Sequence, residues 1–378
     1  MNEITVKTEN FLYDGNTIAK INGKTVLIPY SMPNETLTIK IVETKKDYDI
    51  AKIITIEEPS ANRVSPKCKY YTKCGGCNMM HINQDYQREL KKNILIDLFA
   101  QNNIDAKNLI ETLCDKDTNY RSRFQFTDGG LSEKATNNII KIDECLCAEP
   151  IINDYLKSNS QLFPNGRIHL FGSEKIIGTD KVIICNNEKT TPSVKNNHEI
   201  KNYKSKHYFS GTILNDNSIV EIELLNKKIS FDVRGFFQSN LSVFEKVIKL
   251  ILNSLPEGKN VLDMYAGCGS ISTFLSDKYE NVTLVEHNRD ALVFAETNMS
   301  GKKHTSYGMS GASWCKNCAS SCGKFDAIVI DPPRSGIEKE VINYLTTTKS
   351  PYIRYLSCNP STQARDIKKL ISNGYKLE

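Results

Sequence analysis

From about residue 240 the chain repeats one unit, an apolar run short enough for a strand followed by a segment with helical spacing. LSVFEKVIKLILNSL carries the apolar stripe of an amphipathic helix, and NVLDMY, NVTLVE, FDAIVI and YIRYLS follow as strand-like runs. Alternation of this kind permits few folds. Parallel strands need long crossovers, helices supply them, and right-handed crossovers bring every strand's C-terminal end to one edge. The pattern predicts an α/β domain of Rossmann-like kind, a parallel-rich sheet with helices on both faces. Chemistry then belongs at that edge.

Four motifs fall there. Asp263 ends the first run, and Gly267-Cys268-Gly269 follows before a helix beginning near Ser270. Glycines at such a turn let a ligand approach the backbone closely. Glu286 ends the second run, where an acid suits ribose hydroxyls. The third glycine of the dinucleotide fingerprint is missing, Thr273 or its neighbours standing in its place. A nucleoside cofactor held by acids and backbone therefore fits better than a pyrophosphate, and S-adenosylmethionine better than a nicotinamide dinucleotide. The plain alternative is a tight turn with solvated acids. Asp331-Pro332-Pro333-Arg334 and Ser357-Cys358-Asn359-Pro360 leave the next two runs. They place an acid and a thiol where ligands collect; the plain readings are a proline-stiffened loop and a packed cysteine. Asp263, Glu286, Asp331 and Cys358 are expected to share one crevice.

Residues 1–57 differ. ITVKTE, AKING-KTVLIPY, ETLTIKIVET and DIAKIITI are short strands parted by DG, NG and PN turns, which suggests an OB-like barrel or a plain β accessory domain. A helix is expected over 84–102, with Leu90, Ile94, Leu95, Leu98 and Phe99 on one face. RIHLFG, KVIICN, IVEIELL and KKISFDV then read as strands, and the Asn/Lys-rich stretch 186–206 as a surface loop. The divisions expected are 1–58, 59–235 and 236–378.

No apolar run reaches membrane-spanning length, and MNEITVKTEN lacks the features of a signal peptide, so a cytoplasmic protein is expected. Twelve cysteines then point to metal or catalytic use more than to disulfides. Cys68, Cys74 and Cys77, around Gly75 and Gly76, have the density of an iron–sulfur or zinc site. Cys114 and Cys185 are expected as buried filler, and Cys315, Cys318 and Cys322 beside Trp314 as an accidental cluster. The 49 basic and 44 acidic residues leave a net charge of +5, compatible with RNA without identifying it.

Taken in order, Phe236-Phe237-Gln238, DMYAGCGS, VEHN, IDPPRSG and SCNP resemble the bacterial RNA uracil-C5 methyltransferases, which make 5-methyluridine in ribosomal or transfer RNA. The resemblance runs over almost the whole chain. It implies that residues 1–57 are a TRAM domain and that the helical stretch near 84–115 packs on the catalytic domain. It implies that Gln238, Asp263, Gly267, Gly269, Glu286 and Asp331 contact S-adenosylmethionine. Asp331 would hold the uracil edge and Cys358 would add to the base as nucleophile. Tyr120-Arg121-Ser122-Arg123 resembles a motif whose basic residue positions RNA, the plain reading of Arg121 and Arg123 being a solvated strand. The family's [4Fe–4S] cluster would take Cys68, Cys74 and Cys77 with Cys145 or Cys147, Cys145 being preferred for its offset to Pro150. Its work would be folding and the shaping of an RNA surface. 23S ribosomal RNA is favoured over transfer RNA as partner, with a monomer and no obligate protein partner expected.

Two departures stand out. GASWCKN lacks the acidic residue that relatives place for the adenine amine, and the chain stops at Glu378, before the family's segment with a general-base Glu. The expectation is a shortened chain or one that releases product slowly. The rivals are an RNA-binding protein on the same scaffold and a methyltransferase with another acceptor.

Overall fold

The computed structural model describes residues 3–159, 166–186 and 218–378, with the backbone of Lys206 and His207. The Asn/Lys-rich stretch lies outside the described residues except at its ends. Two compact units emerge. Met1–Gln101, Asp105–Thr112 and Gly129–Leu146 form the first; Asn102–Ile104, Leu113–Asp128 and Cys147–Glu378 form the second.

The first unit opens with β1 (Ile4–Lys7), β2 (Asn16–Ile21), β3 (Lys24–Pro29), β4 (Thr36–Thr44) and β5 (Tyr48–Glu58). Their order is β1-β4-β5-β3-β2, with β3 and β5 parallel and the other pairs antiparallel. Register shifts between β4 and β5 bend the sheet. Just past β1, Glu9 N donates to the Ile18 carbonyl and Ile18 N to that of Asn10, so the sheet returns onto β2. The result is the OB-like barrel expected from the turn chemistry. Alternate residues line its interior, among them Val6, Ala19, Val26, Ile28, Leu37, Ile39 and Ala51. Helix α1 (Gln84–Gln101) seats Leu90 and Ile94 on Phe11, Met32 and Ile82 of the same unit. The resemblance places the stretch near 84–115 on the C-terminal domain; of the helix's stripe, Leu90 and Ile94 pack on residues that precede it.

In the second unit, β6 (Arg123–Thr127), helix α2 (Pro150–Asn159), β7 (Arg167–Gly172) and β8 (Val182–Asn186) come first, the strands forming an antiparallel sheet in the order β8-β7-β6. A hairpin follows, β9 (Ile219–Leu224) with β10 (Lys227–Asp232). Then α3 (Leu241–Asn253) begins with Asn240 Oδ1 accepting from Val243 N at 3.2 Å, an N-cap. Strands β11 (Gly258–Met264), β12 (Tyr279–Val285), β13 (His304–Tyr307), β14 (Ala327–Ile330) and β15 (Tyr352–Tyr355) are all parallel, in the order β13-β12-β11-β14-β15. Lys206–His207 pairs with the outer side of β13. The intervening helices are α4 (Ser272–Leu275), α5 (Arg289–Asn298), α6 (Gly311–Asn317) and α7 (Lys339–Thr348), with α8 (Pro360–Ile371) last.

The pleat sends alternate residues to two cores. Val261, Val282, Leu284 and Val329 pack with Phe231, Phe237, Phe244 and Ile248. Leu262, Met264, Val285, Ile328 and Ile330 pack with Trp314, Val341 and Leu345. Both faces are covered, which explains why Ala327–Ile330 reads as a continuous apolar run. Of the two cysteines expected as filler, Cys185 is half-buried and Cys114 is exposed. Cys114 sits in the exposed run 111–119, where it has no sheet to pack on; Cys147 and Cys268 are the buried thiols. Among the described residues no helix is long and apolar enough to cross a membrane.

Candidate active site

The chain leaves central β11 outward through β12 and β13, then returns to build β14 and β15 on the other side. The direction reverses between β11 and β14, and crevices form at such a switch point. Met264 lies opposite Val285 and Ile330, and Ile330 opposite Tyr355. The residues that follow these positions therefore emerge at one edge.

Asp263 is only 1 % exposed. Ser272 Oγ, in the first turn of α4, donates to its Oδ2 at 2.5 Å. Burial above all, joined by the charges of Asp331 and Glu286, pushes its carboxyl up to about 7 against the pull of Ser272. Glu286, 9 % exposed, accepts from Gly267 N at 2.9 Å and Asn288 N at 2.7 Å. This carboxylate closes the glycine turn against the start of α5. Gly267 and Gly269 both have left-handed backbones, with φ of +57° and +72°. A Cβ at Gly267 would meet nothing within 4 Å, whereas one at Gly269 would lie 3.0 Å from Ala295 Cβ. The turn thus presents bare backbone to open space beside two buried acids, an arrangement that fits a nucleoside with free hydroxyls.

Asp331 is half-buried, and burial pushes its carboxyl up to about 6. Cys358 is exposed. Asn359 caps α8 through Oδ1, which accepts from Ser361 N at 3.1 Å, while its Nδ2 donates to the Arg334 carbonyl at 3.0 Å. Thr362 Oγ1 donates to the same carbonyl at 3.3 Å. The thiol's loop and the Asp331 loop are thereby tied together.

Gln238 is half-buried on the approach to α3. Phe237 beside it stacks on Phe231 with centroids 3.8 Å apart. The Ser239 carbonyl accepts from Ser122 N at 2.8 Å and Ser122 Oγ at 3.0 Å. Arg123 Nη2 donates to the Gly235 carbonyl at 2.8 Å. Residues 122 and 123 therefore brace the Gln238 loop, a role the sequence does not signal. Arg121 is exposed, its guanidinium 5.3 Å from the Phe124 ring centre. Ser272 also went unread, although a hydroxyl at a helix start after a strand-ending acid is a usable sign.

Cys68, Cys74, Cys77 and Cys145 are half-buried members of the first unit, and Cys147 belongs to the second. Their loops are joined by Lys69 Nζ to Asp143 Oδ1 at 2.8 Å, by Tyr70 Oη to the same oxygen at 2.8 Å, and by backbone pairing of Cys74 with Glu133. Cys74 Sγ accepts from Gly76 N at 3.4 Å. Among the described residues no three His, Cys, Asp or Glu side chains converge on a possible metal position. The thiols as they stand do not form the cage expected for a [4Fe–4S] cluster or zinc. Cys315, Cys318 and Cys322 pack, partly buried, against the core that holds fully buried Trp314.

Residues 241–347 match the methyltransferase small domain profile, and residues 318–377 the tRNA (Uracil-5-)-methyltransferase profile. A Treponema denticola protein described as an uncharacterized RNA methyltransferase is 34% identical, the match covering 100% of this chain and 94% of the relative. The 23S rRNA (uracil(1939)-C(5))-methyltransferase of Shewanella sediminis is 28% identical over 100% of this chain and 91% of its own. The solved structure of Pyrococcus abyssi tRNA (uracil-54, C5)-methyltransferase with S-adenosyl-L-homocysteine superposes with a TM-score of 0.69 at 20% identity. That match covers 97% of this chain and 93% of the archaeal one.

Proposed function

We propose, from the premise that this chain belongs to the RNA uracil-C5 methyltransferases, that it methylates a uridine of ribosomal RNA through a covalent bond from Cys358. S-adenosylmethionine-dependent methylation of RNA uracil at C5 follows from membership; the acceptor and the covalent route are the proposal. S-adenosylmethionine supplies an electrophilic methyl group. Asp263, Glu286, Gln238 and the backbone of Gly267–Gly269 would hold it, and the buried acids with their bare turn suit that task.

Uracil C5 is too weak a nucleophile to take a methyl group unaided. Addition of the Cys358 thiolate to C6 moves the ring's electron pair into an enolate with carbanion character at C5. C5 then bonds the methyl carbon, whose former bonding pair leaves with sulfur. A base removes the C5 proton, and elimination of the thiolate restores the double bond. Asp331, with its carboxyl pushed toward neutrality, is suited to hydrogen-bond the polar edge of the ring. The base must leave its stack to enter such a crevice.

One observation carries this reading, the order of exposure along the edge. Asp263 and Glu286 are buried, Asp331 is half-buried and Cys358 is exposed. A small cofactor suits the deep end and a polymer the open end. Ribosomal RNA is favoured because a full-length relative at 28% identity bears a 23S rRNA name, whereas the likeness to the tRNA enzyme shows fold alone.

The test is methyl transfer from labelled S-adenosylmethionine to unmodified 23S ribosomal RNA and to transfer RNA transcripts. Label at uridine C5 in ribosomal RNA, absent from Cys358→Ala, is the expected result. Label in transfer RNA alone would overturn the acceptor, and tight RNA binding without transfer would leave only the scaffold reading. Thiol spacing and the ties between the Cys68–Cys77 and Asp143–Cys145 loops support a [4Fe–4S] cluster on Cys68, Cys74, Cys77 and Cys145, whose thiols would have to draw together to hold it. Iron and sulfide analysis of anaerobically purified protein decides it, and no step above runs through a cluster.

A further inference from the structure

Glu338 stands at the N-cap position of α7, with extended backbone at φ −61° and ψ 146°, yet its side chain makes no capping hydrogen bond. The shorter Asp would ordinarily accept from the first-turn amides there. Glu338 turns away. Its Oε2 accepts from Tyr265 Oη at 3.2 Å and from Ala312 N at 3.2 Å. Tyr265 Oη in turn accepts from Glu338 N at 3.3 Å.

Both partners lie at the catalytic edge. Tyr265 follows β11 and opens the glycine turn, at a left-handed φ of +66° that a bulky residue rarely adopts. Ala312 lies in the first turn of α6, just past the C-terminal end of β13. The path between them is kept clear by a glycine, since a Cβ at Gly311 would lie 2.7 Å from Glu338 Oε2. GASWCKN brings no carboxylate of its own to this place. The far side is anchored as well. Ile337 N donates to Asp366 Oδ2 at 2.8 Å, and that fully buried carboxylate also accepts from Tyr355 Oη at 3.1 Å and Arg365 Nε at 2.8 Å. Asp366 belongs to α8, the helix that follows Cys358.

We propose that Glu338 is a positioning residue for the methyl donor, holding the turn after β11 and the helix after β13 at the spacing the cofactor requires. The inference rests on the crevice reading above and deepens it. The carboxylate joins two segments that are 47 positions apart in sequence, Tyr265 and Ala312. The same loop carries Asp331 at its start, so donor side and acceptor side share one frame.

The experiment uses the full chain. S-adenosylhomocysteine affinity is measured by calorimetry without RNA, and KM for S-adenosylmethionine and kcat with RNA, for the wild type, Glu338→Ala, Glu338→Gln and Tyr265→Phe. Glu338→Ala is expected to bind about tenfold more weakly and to raise KM alike, with kcat at saturation nearly kept. Glu338→Gln retains an oxygen that accepts both hydrogen bonds and should stay near wild type. Wild-type affinity in Glu338→Ala, no rescue by Gln, or a fall in kcat at unchanged KM would each overturn the proposal. If the alanine variant does not fold, Tyr265→Phe decides: about threefold weaker binding supports the tie, and unchanged affinity removes it. A wild-type protein that binds no S-adenosylhomocysteine would instead sink the crevice reading.

Discussion

Replacing Gly269 by Ala should unfold the catalytic unit more easily, whereas the same change at Gly267 should chiefly weaken cofactor binding. Each variant puts a side chain on a left-handed backbone, which costs about 1–2 kcal/mol. At Gly269 the new Cβ also lies 3.0 Å from Ala295 Cβ and 3.2 Å from Ala295 Cα, with Leu284 Cδ2 at 3.5 Å. A helix backbone cannot swing aside as a side-chain tip can, so overpacking adds about 1–3 kcal/mol. The total is about 2–5 kcal/mol, a large share of the roughly 5–15 kcal/mol typical of a folded protein. At Gly267 only the backbone strain applies, and the methyl group projects into the open space that the proposed reading gives to the nucleoside. Trp314, the single tryptophan, is fully buried in α6 and reports unfolding of this unit by fluorescence. Urea midpoints and S-adenosylhomocysteine affinity measured on both variants give the comparison. Equal destabilisation by the two changes, or a wild-type midpoint for Gly269→Ala, would refute the packing argument.

Three more outcomes are expected. Cys358→Ala should lose methylation and any denaturation-resistant link to RNA while stability changes by less than about 0.5 kcal/mol, since the side chain is exposed; retained activity removes this thiol from the mechanism. Asp263→Asn should stabilise the protein at pH 8 but not at pH 4. The folded carboxyl, raised from 3.8 to about 7, keeps its proton better than the unfolded one, so the wild type loses stability as pH rises between those values, by at most about 4 kcal/mol. A variant less stable than wild type at pH 8 would contradict this. His304 is nearly buried, with Nε2 3.0 Å from Glu296 Oε2 and Nδ1 2.8 Å from the Lys302 carbonyl. Burial would lower its pKa, but Glu296 and that carbonyl together raise it above 6.5, since both ring nitrogens face acceptors. Its contribution is present below pH 6.5 and lost as pH climbs through the raised value, so melting temperatures should fall over that window in wild type and stay flatter in His304→Leu.

The parallel sheet was legible because strands buried on both faces must be apolar throughout and must end where the chain turns to a helix. FDAIVI and Asp331 carry both signs in seven residues. The barrel was legible for a different reason, since DG and NG turns pin strand ends locally. What escaped reading depends on contacts far apart in sequence. Residues 129–146 return to the first unit, where Cys74 pairs with Glu133 and Lys69 meets Asp143. Periodicity sees only near neighbours, so such a return leaves no trace in it. Helix α1 shows the same limit: its stripe identifies an apolar face without saying which surface covers it.

The site divides along that line too. Asp263, Glu286, Asp331 and Cys358 could be picked out because each lies at or just past the C-terminal end of a strand. Glu338 and Asp366 act on loops that other elements supply, as Arg123 does in bracing residue 235, and no spacing rule finds those contacts. Depth was hidden as well, and depth is what assigns the ends of the crevice. Burial and neighbouring acids hold the Asp263 carboxyl well above its usual range, and burial does the same for Asp331. Such an arrangement disfavours the ionised fold and would be poor design for packing alone. A cation nearby would lower that cost by supplying a counter-charge, since the partner Asp263 has within the fold is the neutral hydroxyl of Ser272. S-adenosylmethionine carries both a sulfonium and an ammonium charge. On the reading proposed above, the donor's positive charges would offer Asp263 a counter-charge, a reason for burying an acid there that packing does not supply.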